Sequence, residues 1–113
     1  MREKITLFKF WAPWCPHCQK INRFYWKVER DLKDLVEFEN IDTTSGDNVL
    51  AKRFNVTSVP TFILWVRGLN VLLAERTGEM TYDELKSWVE GVYDKAPMVI
   101  HEVFYGSGRK LNT

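Results

Sequence analysis

The chain has 113 residues, a length that fits one domain built around a single core. Its 16 Lys and Arg against 15 Asp and Glu leave a formal net charge of +1, so no global field draws it to nucleic acid or an anionic membrane surface. Two cysteines are too few for a disulfide-dense scaffold and cannot alone complete a four-thiolate zinc site, so their placement carries the information.

The opening MREKITLFKFWAPWCPHC holds a short mixed apolar stretch that runs into a loop, without the apolar length or the small-residue cleavage site of a signal peptide. The longest apolar run, residues 62–66, falls far short of the roughly 20 residues of a membrane helix. The expectation is a cytoplasmic protein with no membrane association.

Residues 5–11, ITLFKFW, are dense in β-branched and aromatic side chains and predict a buried strand that Pro13 and Pro16 end. From Pro16, Ile21, Phe24, Val28, Leu32 and Leu35 recur at helical spacing, with Lys20, Arg23, Lys27, Glu29, Arg30 and Lys33 facing elsewhere. Proline suits the first helical position, so this helix is predicted to begin at the cysteine pair. Residues 35–41 read as a second strand, 42–47 as a turn, and Val49 to Phe54 as a short helix. The apolar run over residues 61–66 predicts a buried central strand, and Gly68 turns the chain into a hairpin partner over residues 71–75. Gly78 ends that strand. Thr81 with Glu84 makes a capping-box pattern before a helix whose apolar face is Tyr82, Leu85, Trp88, Val89 and Val92.

The order strand, helix, strand, helix, strand, strand, helix requires parallel pairing across the crossovers and antiparallel pairing in the late hairpin. An α/β fold follows, with a mixed four-stranded sheet flanked by three helices. The domain is expected over residues 1–96. Residues 97–113 form a tail, in which the β-prone MVIHEVFY predicts an added edge strand or a loosely packed segment and GSGRKLNT a frayed end.

Cys15 and Cys18 stand in a C-x-x-C at a strand-to-helix junction. There the first sulfur meets unpaired backbone N–H groups and the positive end of the helix dipole, which favour the thiolate, the form that attacks disulfides. The second cysteine, one turn in, is placed to attack the resulting mixed disulfide. His17 between them is expected to add a donor or a positive charge beside the Cys15 sulfur. Two other readings are open: half of a zinc site, for which only His17 and His101 offer nitrogen ligands, and inert structural thiols. A C-x-x-C near a βαβ pattern favours redox exchange.

The run FWAPWCPHC over residues 10–18 resembles the active-site segment of the thioredoxin family. Val59-Pro60-Thr61 resembles its cis-proline segment, Asn40-Ile41-Asp42 one of its strand ends, and Gly68 and Gly78 fall where it has turn glycines. The resemblance covers residues 4–94. It implies a thioredoxin-like fold and a protein-disulfide oxidoreductase with Cys15 as nucleophile, Cys18 as resolving thiol, and Pro16 and His17 tuning them. It further implies a cis bond before Pro60, with the Val59 backbone, Trp14 and Trp11 beside the substrate. The implied partners are protein disulfides or dithiols, with glutathione or a thioredoxin reductase as electron donor and no metal or organic cofactor. A monomer is expected. The alternative is a thioredoxin-fold module that docks partners without redox turnover.

Three departures stand out. Pro16-His17 resembles the dipeptide of the periplasmic thiol oxidases of the superfamily, which points to a more oxidising disulfide, whereas a cytoplasmic setting points to reduction. Lys9 stands six residues before Cys15, where thioredoxins carry a buried acid. It is expected to pair with Glu37 or Glu39, or to reach solvent, and if charged to depress the thiol pKa values. Finally, the active-site run starts at Phe10, so the family's first strand and helix are expected to be missing. The sheet edge so exposed is expected to be covered by residues 99–105 or by a partner chain.

Overall fold

The computed structural model describes residues 4–46 and 48–105. The elements are β1 (Ile5–Trp11), α1 (Pro16–Leu32), β2 (Glu37–Asp42), α2 (Val49–Arg53), β3 (Thr61–Val66), β4 (Val71–Thr77) and α3 (Tyr82–Tyr105). The sheet order is β2-β1-β3-β4. β1 pairs parallel with β2 and antiparallel with β3, and β3 pairs antiparallel with β4 through an irregularity at Leu64/Trp65.

β1 and β3 are central and buried on both faces, which accounts for their nearly unbroken apolar sequences. Alternation splits their side chains between two cores. Ile5, Leu7, Phe62, Leu64 and Val66 pack with Ile21, Tyr25, Val28 and Leu32 of α1 and Leu85, Val89 and Ala96 of α3. Phe8, Phe10 and Ile63 face the other way, onto Ala51 of α2. The α/β thioredoxin-like architecture is thus the one the element order requires.

α1 ends at Leu32, whose carbonyl accepts from the N–H groups of Leu35 and Val36. These bonds hold Leu35 and Val36 in the turn, so β2 starts at Glu37 and not at Leu35. The capping box before α3 is reciprocal: the Glu84 N–H donates to Thr81 Oγ1 at 3.1 Å, and the Thr81 N–H to Glu84 Oε1 at 2.9 Å.

The expected edge strand after Pro97 is not formed. α3 runs through Pro97 to Tyr105, and no loop separates residues 97–105 from the helix before them. Helical spacing carries the apolar face from Val89 to Val92, Ala96 and Ile100, the last packed against the main core. That periodic burial outweighs both the β-branched composition and the missing Pro97 N–H. α3 packs on α1 and β4. The expected frayed end over residues 106–113 lies outside the described residues.

Candidate active site

Local sequence sets the geometry of the cysteine pair. β1 delivers the chain to Ala12, a turn through Pro13 and Trp14 is closed by the Cys15 N–H on the Ala12 carbonyl at 3.2 Å, and Pro16 opens α1. Cys15 is therefore the N-cap residue, in an extended conformation with φ −86° and ψ 113°. Its Sγ accepts the Cys18 N–H at 3.2 Å, as a serine or aspartate oxygen does at other helix starts. No acidic side chain lies in the first turn of α1 to oppose a negative charge on that sulfur.

Both cysteines are buried and unbonded to each other, packed with Ala12 under Trp11 and Val59. The Val59–Pro60 peptide is cis, and the Cys15 thiol points at the Val59 carbonyl, 3.7 Å away. Thr61 Oγ1 donates to the Ser58 carbonyl at 2.7 Å, and the Gly78 N–H to the Pro60 carbonyl at 2.9 Å, so the segment facing the sulfur is tied at both ends. Gly78 has φ +106°, a conformation that suits glycine.

Trp14 is 67% exposed, and it borders a groove of about 300 Å³ with Thr43, Asn48, Ala51 and residues 56–59. Trp11 is half-buried, and its carbonyl accepts from the Thr43 N–H at 2.8 Å and from Thr43 Oγ1 at 3.1 Å. The geometry thus gives Trp11 a packing place and Trp14 an open one.

Lys9 is only 5% exposed, so the expectation that its amine reaches solvent is overturned. Its expected pairing with Glu37 or Glu39 is not seen either. The parallel register sets those residues opposite Thr6 and Phe8, whereas Lys9 lies opposite Asn40. Lys9 instead donates to Asn22 Oδ1 at 2.5 Å and lies 4.0 Å from the centre of the Tyr25 ring, a cation–π contact. Glu37 pairs with Lys4 and Arg67. Burial pulls the Lys9 pKa down to about 8, against the pull of Glu29 and of Cys18. Burial and the hydrogen bond with Cys15 push the Cys18 thiol up to about 11, while the Lys9 charge acts in the opposite direction.

His17 is hydrogen-bonded to the segment that follows the hairpin. Its Nδ1 is 2.6 Å from Glu79 Oε1, on the segment between β4 and α3. That hydrogen bond holds the Glu79 carboxyl below its ordinary range. Among the described residues no group of three or more His, Cys, Asp or Glu is placed to hold a metal ion.

Sequence reasoning missed Asn22, Tyr25 and Glu79. Asn22 and Tyr25 lie one and two turns beyond Cys18, a spacing that would have found them. Glu79 reaches the site only through the hairpin, and no sequence spacing signals it.

Comparison with known proteins agrees with this geometry. The Thioredoxin family model matches residues 1–91. The chain is 33% identical over 115 aligned residues to protein disulfide isomerase-like 1-4 of Arabidopsis thaliana, covering 96% of this chain and 19% of the relative. It is 33% identical over 88 residues to a thioredoxin domain-containing protein of Theileria parva (78% and 39%), and 36% over 93 residues to human protein disulfide-isomerase A4 (80% and 14%). The chain therefore spans well under half the length of these relatives. The thioredoxin f2 structure from Chlamydomonas reinhardtii superposes with a TM-score of 0.68 at 21% identity, covering 80% of this chain and 81% of that one. A malaria parasite thioredoxin-2 gives 0.70 at 22%, covering 80% and 85%. No described helix is long and apolar enough to cross a membrane. With the family model spanning most of its length and the two-cysteine pair at the head of α1, the chain belongs to the thioredoxin family.

Proposed function

We propose that the chain is a thiol–disulfide oxidoreductase acting on protein substrates, with Cys15 as nucleophile and Cys18 as resolving thiol. The observation that carries this reading is the Cys15 sulfur at the N-cap of α1, accepting the Cys18 N–H and facing the Val59 carbonyl. The Cys15 thiolate attacks one sulfur of a substrate disulfide, forming a mixed disulfide and expelling the other sulfur as a thiolate. Cys18, once deprotonated, attacks Cys15 Sγ and expels the second substrate thiolate. Two electrons pass from the cysteine pair to the substrate, which takes up two protons; oxidation of a dithiol is the reverse.

Pro16 presets the first helical turn, and the Val59–Pro60 backbone with Trp14 receives an extended substrate segment in the adjoining groove. Trp11 supports the loop from below. Lys9 modulates the pair: its charge, when present, favours the Cys18 thiolate that burial disfavours. Glutathione or a separate thiol reductase closes the cycle.

Insulin reduction with dithiothreitol or glutathione as electron donor tests the reading. The parent chain is expected to accelerate it and Cys15→Ser to abolish the acceleration. A parent chain without turnover overturns the proposal in favour of a docking module.

A further inference from the structure

We propose that Glu79 is a positioning residue for this centre, holding the His17 imidazole away from the Cys15 sulfur and so restraining the oxidising strength of the disulfide. The proposal rests on the redox reading above and assigns a role to a residue outside the C-x-x-C motif.

A histidine between the two cysteines adds a positive charge near the nucleophile, and any charge that favours the thiolate stabilises the reduced pair and makes the disulfide more oxidising. The effect depends on where the imidazole points. Here its Nδ1 meets Glu79 Oε1 at 2.6 Å, while the polar contacts of Cys15 Sγ come from the Cys18 N–H and the Val59 carbonyl. The backbone is held on both sides of Glu79. Gly78 before it is bonded to the Pro60 carbonyl, and Met80 after it is buried in the main core. Lys20, one turn along α1 from His17, approaches the same oxygen at 3.9 Å. The charged and titratable groups around His17 are thus Glu79 from the β4–α3 segment, Lys20 from its own helix, and the cysteine pair.

Glu79 acts through His17, by tying the ring to the β4–α3 segment. Glu79→Gln removes the charge and keeps the shape, whereas Glu79→Ala also frees the ring. Both are expected to favour the dithiol form.

The test is equilibration of each variant with a glutathione redox buffer at pH 7, in which the protein disulfide and two glutathione thiols exchange for the protein dithiol and one glutathione disulfide. For an exposed ion pair, Glu79→Gln is expected to shift that equilibrium toward the dithiol by about twofold to fivefold. Glu79→Ala should shift it at least as far, and the shift should vanish when His17→Ala is added. Independently, the pH profile of iodoacetamide alkylation at Cys15, in a Cys18→Ser background, should move to lower pH in Glu79→Gln. Alkylation needs no redox turnover, so it decides the role of Glu79 even where exchange with substrates fails. An unchanged equilibrium and alkylation profile, or a shift that survives the removal of His17, overturns the proposal.

Discussion

Lys9 Nζ lies 4.0 Å from the centre of the Tyr25 ring and donates to Asn22 Oδ1, which places a buried amine behind the resolving cysteine. With its pKa pulled down to about 8 by burial against the pull of Glu29 and Cys18, the ammonium keeps most of its charge near neutral pH. We expect Lys9→Met, which retains the volume but not the charge, to slow the attack of Cys18 on the mixed disulfide by about tenfold, the equivalent of one pKa unit. Rapid quench of the mixed disulfide formed with a peptide disulfide measures this rate.

The same amine sets a pH dependence of stability. Burial lowers its pKa from 10.5 to about 8, so between those values the unfolded chain binds more protons and stability rises with pH. Cys18 acts oppositely. Its thiol, raised from 9.0 to about 11, holds more protons in the folded chain between those values, where stability falls as pH rises. Locking the pair as a disulfide removes the Cys18 contribution. The melting temperature of the disulfide form is therefore expected to rise between about pH 8 and pH 10, and Lys9→Met to flatten that rise.

Trp14 is 67% exposed at the rim of the groove. Trp14→Ala should change stability by no more than about 0.5 kcal/mol, as surface substitutions do. Its kcat/KM for a protein disulfide should fall by about tenfold, because an aromatic anchor at a binding surface carries a disproportionate share of the contact energy. A loss equal to that seen with a small disulfide would assign Trp14 to the chemistry and not to substrate docking.

Most of this architecture was legible because one kind of signal dominated it. The unbroken apolar runs of β1 and β3 mark strands covered on both faces, Pro16 marks the start of α1, and Thr81 with Glu84 marks that of α3. The errors lie where tertiary geometry outvotes local composition. Residues 98–105 read as a strand by β-propensity but follow the burial period of α3. Lys9 could not be given its partner before the register of β1 against β2 was known, since a shift of one residue changes which side chains share its face. The Glu79 partner of His17 was not legible at all, because the hairpin brings it in from 62 residues away.

The continuous α3 makes Pro97 a cost to the fold. A proline in a helix interior removes a backbone hydrogen bond and destabilises by about 3 kcal/mol relative to alanine. Pro97 is exposed, with Ala96 buried beside it. We expect Pro97→Ala to raise stability by about 1–3 kcal/mol, measured by urea unfolding. Removal of residues 98–113 should lower it, because Ile100 packs on the main core.

Trapping the mixed disulfide tests the central claim most directly. Cys18→Ser, incubated with oxidised glutathione and quenched in acid, should carry one glutathione on Cys15 by mass spectrometry, and reduced glutathione should release it. The parent chain should instead pass to the Cys15–Cys18 disulfide. Absence of the adduct from Cys18→Ser would contradict the assignment of Cys15 as the nucleophile of a thiol–disulfide exchange enzyme.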